Sequence, residues 1–151
     1  MKPNKLIFYI LSFTWGILAT IVGAIVMLGC IIFTKKKPMR FGDCWYIKVG
    51  KIWGGFSLGP FLIVDRVSDL SDIKHEHGHS IQNCVFGPLW LFIIGIPSMT
   101  RYWYRKLRKK LGYKNKTKYY DIWFEKQATE WGCKYYEYRE SLNLKKFVNT
   151  K

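Results

Sequence analysis

From Leu6 to Phe33 the chain reads LIFYILSFTWGILATIVGAIVMLGCIIF, 28 residues without a charged side chain. About 20 apolar residues suffice for a helix to cross the hydrocarbon core of a bilayer, so this run spans with room for tilt. A cleaved signal peptide would carry a shorter apolar region ending in a small-residue cleavage site. Here Lys35-Lys36-Lys37 follows instead. We therefore read residues 1–34 as an uncleaved transmembrane anchor and residues 35–151 as one domain behind it. Lys2 and Lys5 precede the run, whereas Lys35, Lys36, Lys37 and Arg40 follow it at once. The positive-inside tendency then predicts a single-pass protein of the cell membrane with its C-terminal domain in the cytoplasm. The four cysteines, Cys30, Cys44, Cys84 and Cys133, show no paired spacing of a disulfide scaffold or zinc ribbon and are expected to be small buried hydrophobes.

The formal charge of +15 raises two partner classes. Clustered lysine and arginine neutralise nucleic-acid phosphates, and they equally attract the anionic lipid of a cytoplasmic membrane face. With an anchor already present, lipid needs no additional partner, and no nucleic-acid-binding fold signature accompanies the charge. Membrane lipid is the expected partner of the basic surface and nucleic acid is not.

After a basic linker, TKKKPMRFGD, the stretch WYIKVGKIWGGFSLGPFLIVD mixes aromatic and β-branched residues with Gly54-Gly55 and Gly59-Pro60, which predicts two or three short strands around turns. Ser68, Asp69, Ser71 and Asp72 supply helix-start chemistry, and Gly87-Pro88 ends the helix that follows. Leu89 to Met99 is apolar, but too short and too broken by Gly95 and Pro97 to be read as a second span. Arg101 to Gly112, RYWYRKLRKKLG, has the composition of a headgroup-level segment, and equally that of a solvated basic helix. A last helix is expected from about Lys118 to Glu140, with a polar tail beyond.

All three histidines fall in His75-Glu76-His77-Gly78-His79. On a helix each residue turns by about 100°, so His75 and His79 lie about 40° apart and can share one ion. His77 sits about 200° from His75 and joins the stripe Ile73, His77, Ile81, Cys84, the packing side of the helix. It is predicted not to be a ligand. Asp72 and Gln82 fall near the ligand face. Glu76 is offset by about 100°, where its carboxylate can reach a water on the metal without displacing it. This is the H-E-x-x-H arrangement, two imidazoles for zinc and one general base, with Gly78 leaving space for another element to approach.

Two histidines leave a tetrahedral zinc one protein ligand short if water keeps the fourth position. With no histidine left, cysteine or carboxylate must supply it, and Glu125 in WFEKQATEWG is the best candidate. Glu125, Ala128, Thr129 and Gly132 share one helical face, three of them small, so this helix can lie close against the first.

Two histidines with a downstream helical glutamate resemble the gluzincin branch of zinc metallopeptidases over residues 53–133. More closely, GGFSLGPFLIVD, HEHGHSIQN, FGPLWLFIIGIPS, RYWY and WFEKQAT are similar to a family of small, bacterial, membrane-anchored predicted zincins. The resemblance implies His75, His79 and Glu125 as zinc ligands and Glu76 as catalytic base. It also implies an α+β, minimal zincin-like domain of short strands, the H-E-x-x-H helix and a glutamate-bearing C-terminal helix, acting on a protein or peptide substrate. Many gluzincins carry an aspartate four residues after the glutamate ligand to orient a zinc histidine; Thr129 stands there in this chain, and Asp72 is a possible substitute. The GGFSLGPFLIV strand reads equally as an edge to which an extended peptide can add and as an ordinary core strand. The competing expectation is a membrane-tethered, zinc-stabilised interaction protein without catalysis.

Overall fold

The computed structural model of the chain describes residues 4–149 apart from Ile52, with side chains to residue 141. The flanking Lys2 lies outside the described residues. The apolar run is not one helix. It divides into α1 (Lys5–Phe13), capped by the Asn4 side chain, and α2 (Ile17–Thr34). The polar residues within the run accompany the break: Thr14 Oγ1 donates to Ile10 O at 2.6 Å, the buried Thr20 Oγ1 donates to Ser12 O at 2.7 Å, and Gly16 N reaches back to Leu11 O at 2.7 Å. The turn docks on the end of the histidine-bearing helix, where Trp15 Nε1 donates to Val85 O. Two cations from the two flanks of the run then meet one ring: Lys5 Nζ stands 5.9 Å from the centre of Tyr9, whose hydroxyl accepts from Arg40 at 3.0 Å. A single straight crossing would separate those flanks. By itself α2 is apolar and long enough to cross a membrane, at about 27 Å for its 18 residues.

A four-stranded sheet follows, built from β1 (Met39–Phe41), β2 (Cys44–Lys48), β3 (Gly55–Leu58) and β4 (Phe61–Val64) in the order β1-β2-β4-β3. The β2/β4 pair is parallel, and β1/β2 and β3/β4 are antiparallel. The segment read as a linker thus contains a strand, β1, because Met39–Phe41 finds a partner in Trp45 and its neighbours across a tight turn at Gly42-Asp43. Alternation sorts the side chains. Ile47 and Ile63 point to Met27 of α2 on one face; Cys44, Leu62 and Val64 pack with Phe8 of α1 and with Ile73 and Cys84 of the next helix, α3 (Leu70–Phe86), on the other. The core therefore runs across residue 34, drawing on both N-terminal helices. The small or polar face of α2, Ala19, Thr20, Gly23 and Met27, is buried, while Leu18, Ile21, Val22, Ile25, Leu28 and Ile32 stay exposed.

Helix α3 (Leu70–Phe86) starts with a reciprocal cap: Asp69 Oδ1 accepts from Asp72 N, and Asp72 Oδ2 from Asp69 N. It ends at Gly87, whose φ of +54° suits glycine and whose missing side chain makes room for the Trp15 ring. A 3₁₀ turn (Gly87–Leu89), a π turn (Leu91–Gly95) and α4 (Ile96–Lys110) follow, and the path bends by 118°. The last helix, α5, begins later than expected, at Trp123, and continues past Glu140 to Asn149; Tyr119–Asp121 forms a separate 3₁₀ turn. Midway along its length α5 is tied to the β1–β2 turn, since the buried Asp43 carboxylate accepts from Tyr135 and from Arg139. All four cysteines are free; Cys44 and Cys84 are buried as expected, whereas Cys30 and Cys133, on helix faces turned partly outward, are only half-buried.

Candidate metal centre

Helices α3 and α5 run antiparallel at a spacing that only glycine permits. A β-carbon on Gly78 would stand 1.8 Å from Ala128 O, and one on Gly132 would stand 1.8 Å from Lys74 O. The pairing 78 with 128 and 74 with 132 brings His79 against Glu125 and His75 against Thr129. His75 Nε2 lies 3.0 Å, and His79 Nε2 3.3 Å, from Glu125 Oε2. Ligand bonds of about 2.0–2.1 Å at tetrahedral angles set donor atoms about 3.3 Å apart; both distances from Glu125 match that spacing, and the three donors lie within 4.8 Å of one another, a group that could hold one metal ion. All three residues are buried, Glu125 completely.

The remaining polar atoms are committed in a way that leaves those three free. His75 Nδ1 is 2.9 Å from Thr129 Oγ1, and the Thr129 hydroxyl itself donates to Glu125 O; Nδ1 is therefore the protonated nitrogen and Nε2 carries the lone pair. His79 Nδ1 stands 2.7 Å from Gln82 Oε1, and the Gln82 amide donates to Phe124 O and Gln127 Oε1, which sets the same tautomer. Thr129 thus fills the orienting position, while Asp72 is spent on the helix cap. Glu125 Oε1 accepts from Ser98 Oγ and from the Tyr119 hydroxyl, turning Oε2 to the histidines. Burial by itself would raise the Glu125 carboxyl, but when a second proton sits on the Nε2 of the rings, their hydrogen bonds to Glu125, from His75 and then His79, outweigh burial and hold the group well below the usual carboxylate range. Burial would lower His79, and the Glu125 carboxylate raises it instead.

Glu76 stands apart from the three. It is buried against β3, where a β-carbon on Gly55 would be 2.9 Å from Glu76 Oε1, and its Oε2 has no hydrogen-bond partner. Burial pushes its carboxyl upward, with His75 and His79 partly offsetting. An orphaned, proton-hungry oxygen beside three converging donors is where a general base would sit. His77 points the other way, as its helical position requires. Its ring stacks on Phe8 and contacts Phe41 and Tyr135, neither nitrogen has a partner, and burial first, then Arg139, depress its pKa to about 3. It is a neutral core residue.

Ser98 and Tyr119 were not legible in the sequence. They come from α4 and the turn before α5, and the only hint was a serine in the apolar run GIPSM. Tyr120, half-exposed, sets its ring edge-on to His75 at 5.0 Å between centroids. Compared with protein-family models, curated proteins and solved structures, the chain shows no match.

Proposed function

We propose that the chain is a membrane-attached zinc metallopeptidase, with His75, His79 and Glu125 holding the ion and Glu76 serving as general base. The observation that carries the reading is the division of labour in one buried site: three donor atoms within 4.8 Å of one another, each on a side chain held by a further hydrogen bond, and a second carboxylate outside the set with an unpartnered oxygen. Zinc held there supplies Lewis-acid polarisation and an acidified water. Glu76 takes a proton on its free Oε2 and delivers it to the leaving amine, and the burial that raises its carboxyl makes it a better proton acceptor than an exposed glutamate. Thr129 and Gln82 hold the imidazole rings, and Ser98 and Tyr119 hold Glu125. Among the described residues β3 pairs only with β4, so its outer edge, beside Glu76, can receive an extended peptide.

The exposed apolar faces of α1 and α2 support attachment to the cell membrane, with residues 35–151 in the cytoplasm beside Lys35, Lys36 and Lys37. A single crossing would put Lys5 and Arg40 on opposite sides, whereas both contact Tyr9; we therefore place the N-terminal flank on the cytoplasmic side as well.

The substitution Glu76→Gln tests the catalytic part. It removes the proton acceptor without touching a ligand, so zinc content and folding stay intact while peptide cleavage falls by about 10²-fold or more. Loss of zinc in His75→Ala, His79→Ala and Glu125→Ala, with retention in His77→Ala, tests the ligand set by elemental analysis. Cleavage unchanged in Glu76→Gln overturns the base assignment; zinc retained in Glu125→Ala overturns the ligand assignment.

A further inference from the structure

Two clefts meet at Glu76, and only one of them carries lysine and arginine side chains. One, of about 410 Å³, is bounded by Val26 of α2, Leu58 of β3, Trp90, Ile94, Met99 and Trp103, and is almost wholly apolar. The other, of about 530 Å³, is bounded by Arg105, Lys106 and Lys109 of α4 together with Asp65, Asp72 and Asn115. Gly55, Glu76 and Tyr102 line both. The Tyr102 hydroxyl donates to Trp53 O at 2.5 Å, which pins the ring at the boundary.

The acids and the bases of the second cleft are not paired with one another. Asp65 accepts from the backbone of Gly54, Val67 and Ser68 and from the Ser68 hydroxyl, and Asp72 caps α3. Arg105, Lys106 and Lys109 make no ion pair among the described residues. The three cations on α4 therefore keep their donors for direct contact with carboxylates of a chain lying there.

The edge of β3 gives the direction. Phe56, Ser57 and Leu58 border the apolar cleft, and Gly54 borders the basic one. A peptide added antiparallel, the more stable pairing, has its N-terminal part beside Leu58 and its C-terminal part beside Gly54. The apolar cleft opens between α2 and α4, whose outer residues Val22, Ile25, Ile96 and Met99 are exposed hydrophobics. Its occupant can thus arrive from lipid.

We propose that the substrate is a membrane-associated polypeptide in which an apolar segment precedes the cleaved bond and an acidic segment follows it. This rests on the peptidase reading, and the hydrolysis it implies is balanced by water: the amide C–N bond breaks, water supplies OH to the carbonyl carbon, and a proton goes to the amine.

Full-length Glu76→Gln protein in nanodiscs of zwitterionic lipid, zinc-loaded, is titrated with three labelled peptides: apolar then acidic, apolar then basic, and acidic then apolar. Anisotropy should show the first binding at least about tenfold tighter than the others, the equivalent of one well-used charge contact. That preference should shrink as salt rises. Reversal of Arg105, Lys106 and Lys109 to glutamate should transfer it to the apolar-basic peptide, with zinc content as the control for folding. Met99→Asp, at the mouth of the apolar cleft, should weaken the first peptide and leave its charge preference. Equal affinity for the acidic and basic forms overturns the proposal, as does indifference to Met99→Asp, which would leave the apolar cleft to lipid. Wild-type protein separates the two readings: a peptide bound with the stated preference but never cleaved removes hydrolysis and keeps the recognition rule, whereas cleavage of all three alike keeps hydrolysis and removes the rule.

Discussion

Replacing Gly78 by alanine adds one methyl group, touches no ligand, and should abolish metal binding. Two effects oppose each other. In the middle of α3 alanine is the better helix former by about 1 kcal/mol. Against that, the new β-carbon would lie 1.8 Å from Ala128 O, where ordinary contact begins at 3.4 Å. The obstacle is backbone, so no rotamer change relieves it, and the helices must part by about 1.6 Å or α5 must slide. Overpacking of a rigid contact costs about 3 kcal/mol or more, so the net effect is destabilising. The metal is the more sensitive reporter, because ligand distances tolerate only about 0.2 Å and Glu125 rides on the helix that moves. The assay is zinc stoichiometry by elemental analysis with thermal unfolding of the same samples. Gly29→Ala is the control: it makes the same change in α2, where nothing lies within 4 Å, and should keep zinc and leave the unfolding temperature unchanged or slightly raised. A Gly78→Ala protein with full zinc and an unchanged transition would refute the claim that the Gly78–Ala128 contact sets the site.

Thr129→Val removes the hydroxyl that holds His75 Nδ1 while keeping the shape of the side chain, and should weaken zinc by about 10- to 100-fold in chelator competition. His77 is kept neutral by burial, with its pKa near 3 against about 6.5 in an unfolded chain. Its contribution to stability is complete above pH 6.5 and is lost as pH falls toward 3, at up to about 1.4 kcal/mol per pH unit. His77→Phe should therefore lose less stability than the parent between pH 6.5 and 5, by up to about 2 kcal/mol in denaturant titrations, and parallel pH profiles would refute this. Reporter fusions ahead of Lys5 and at Lys151 should both read cytoplasmic; an external N-terminus would restore a single crossing by α2.

The donor set was legible because helical geometry is a local property: His75, His79 and Glu76 have their directions fixed by residue spacing alone, and the small face around Glu125 marked the docking side of α5. The strands also followed from local signals, the turns at Gly54-Gly55 and Gly59-Pro60. What depended on distant partners was not legible. The Tyr119 hydroxyl reaches Glu125 only because the path after α3 bends by 118° and returns, and no local pattern encodes where a bent chain comes back. The break at Thr14–Gly16 was written in Ser12, Thr14 and Gly16, but hydropathy averages over such residues. Met39–Phe41 looked like linker because a three-residue strand has no period of its own; only Cys44–Tyr46 opposite makes it one.

Glu125 is contributed by the last helix, and that has a consequence in time. During synthesis α1 and α2 emerge first, and at about 5–20 residues per second α5 follows only after roughly 5–20 s. A nascent chain that ends before Trp123 already carries both imidazoles and Glu76, but neither Glu125 nor the Thr129 hydroxyl that holds His75. Tyr135 and Arg139, which fasten α5 to Asp43, come later still. The apolar helices can therefore meet the bilayer before the metal-holding site can close, and the order of residues along the chain sets the order of the two events.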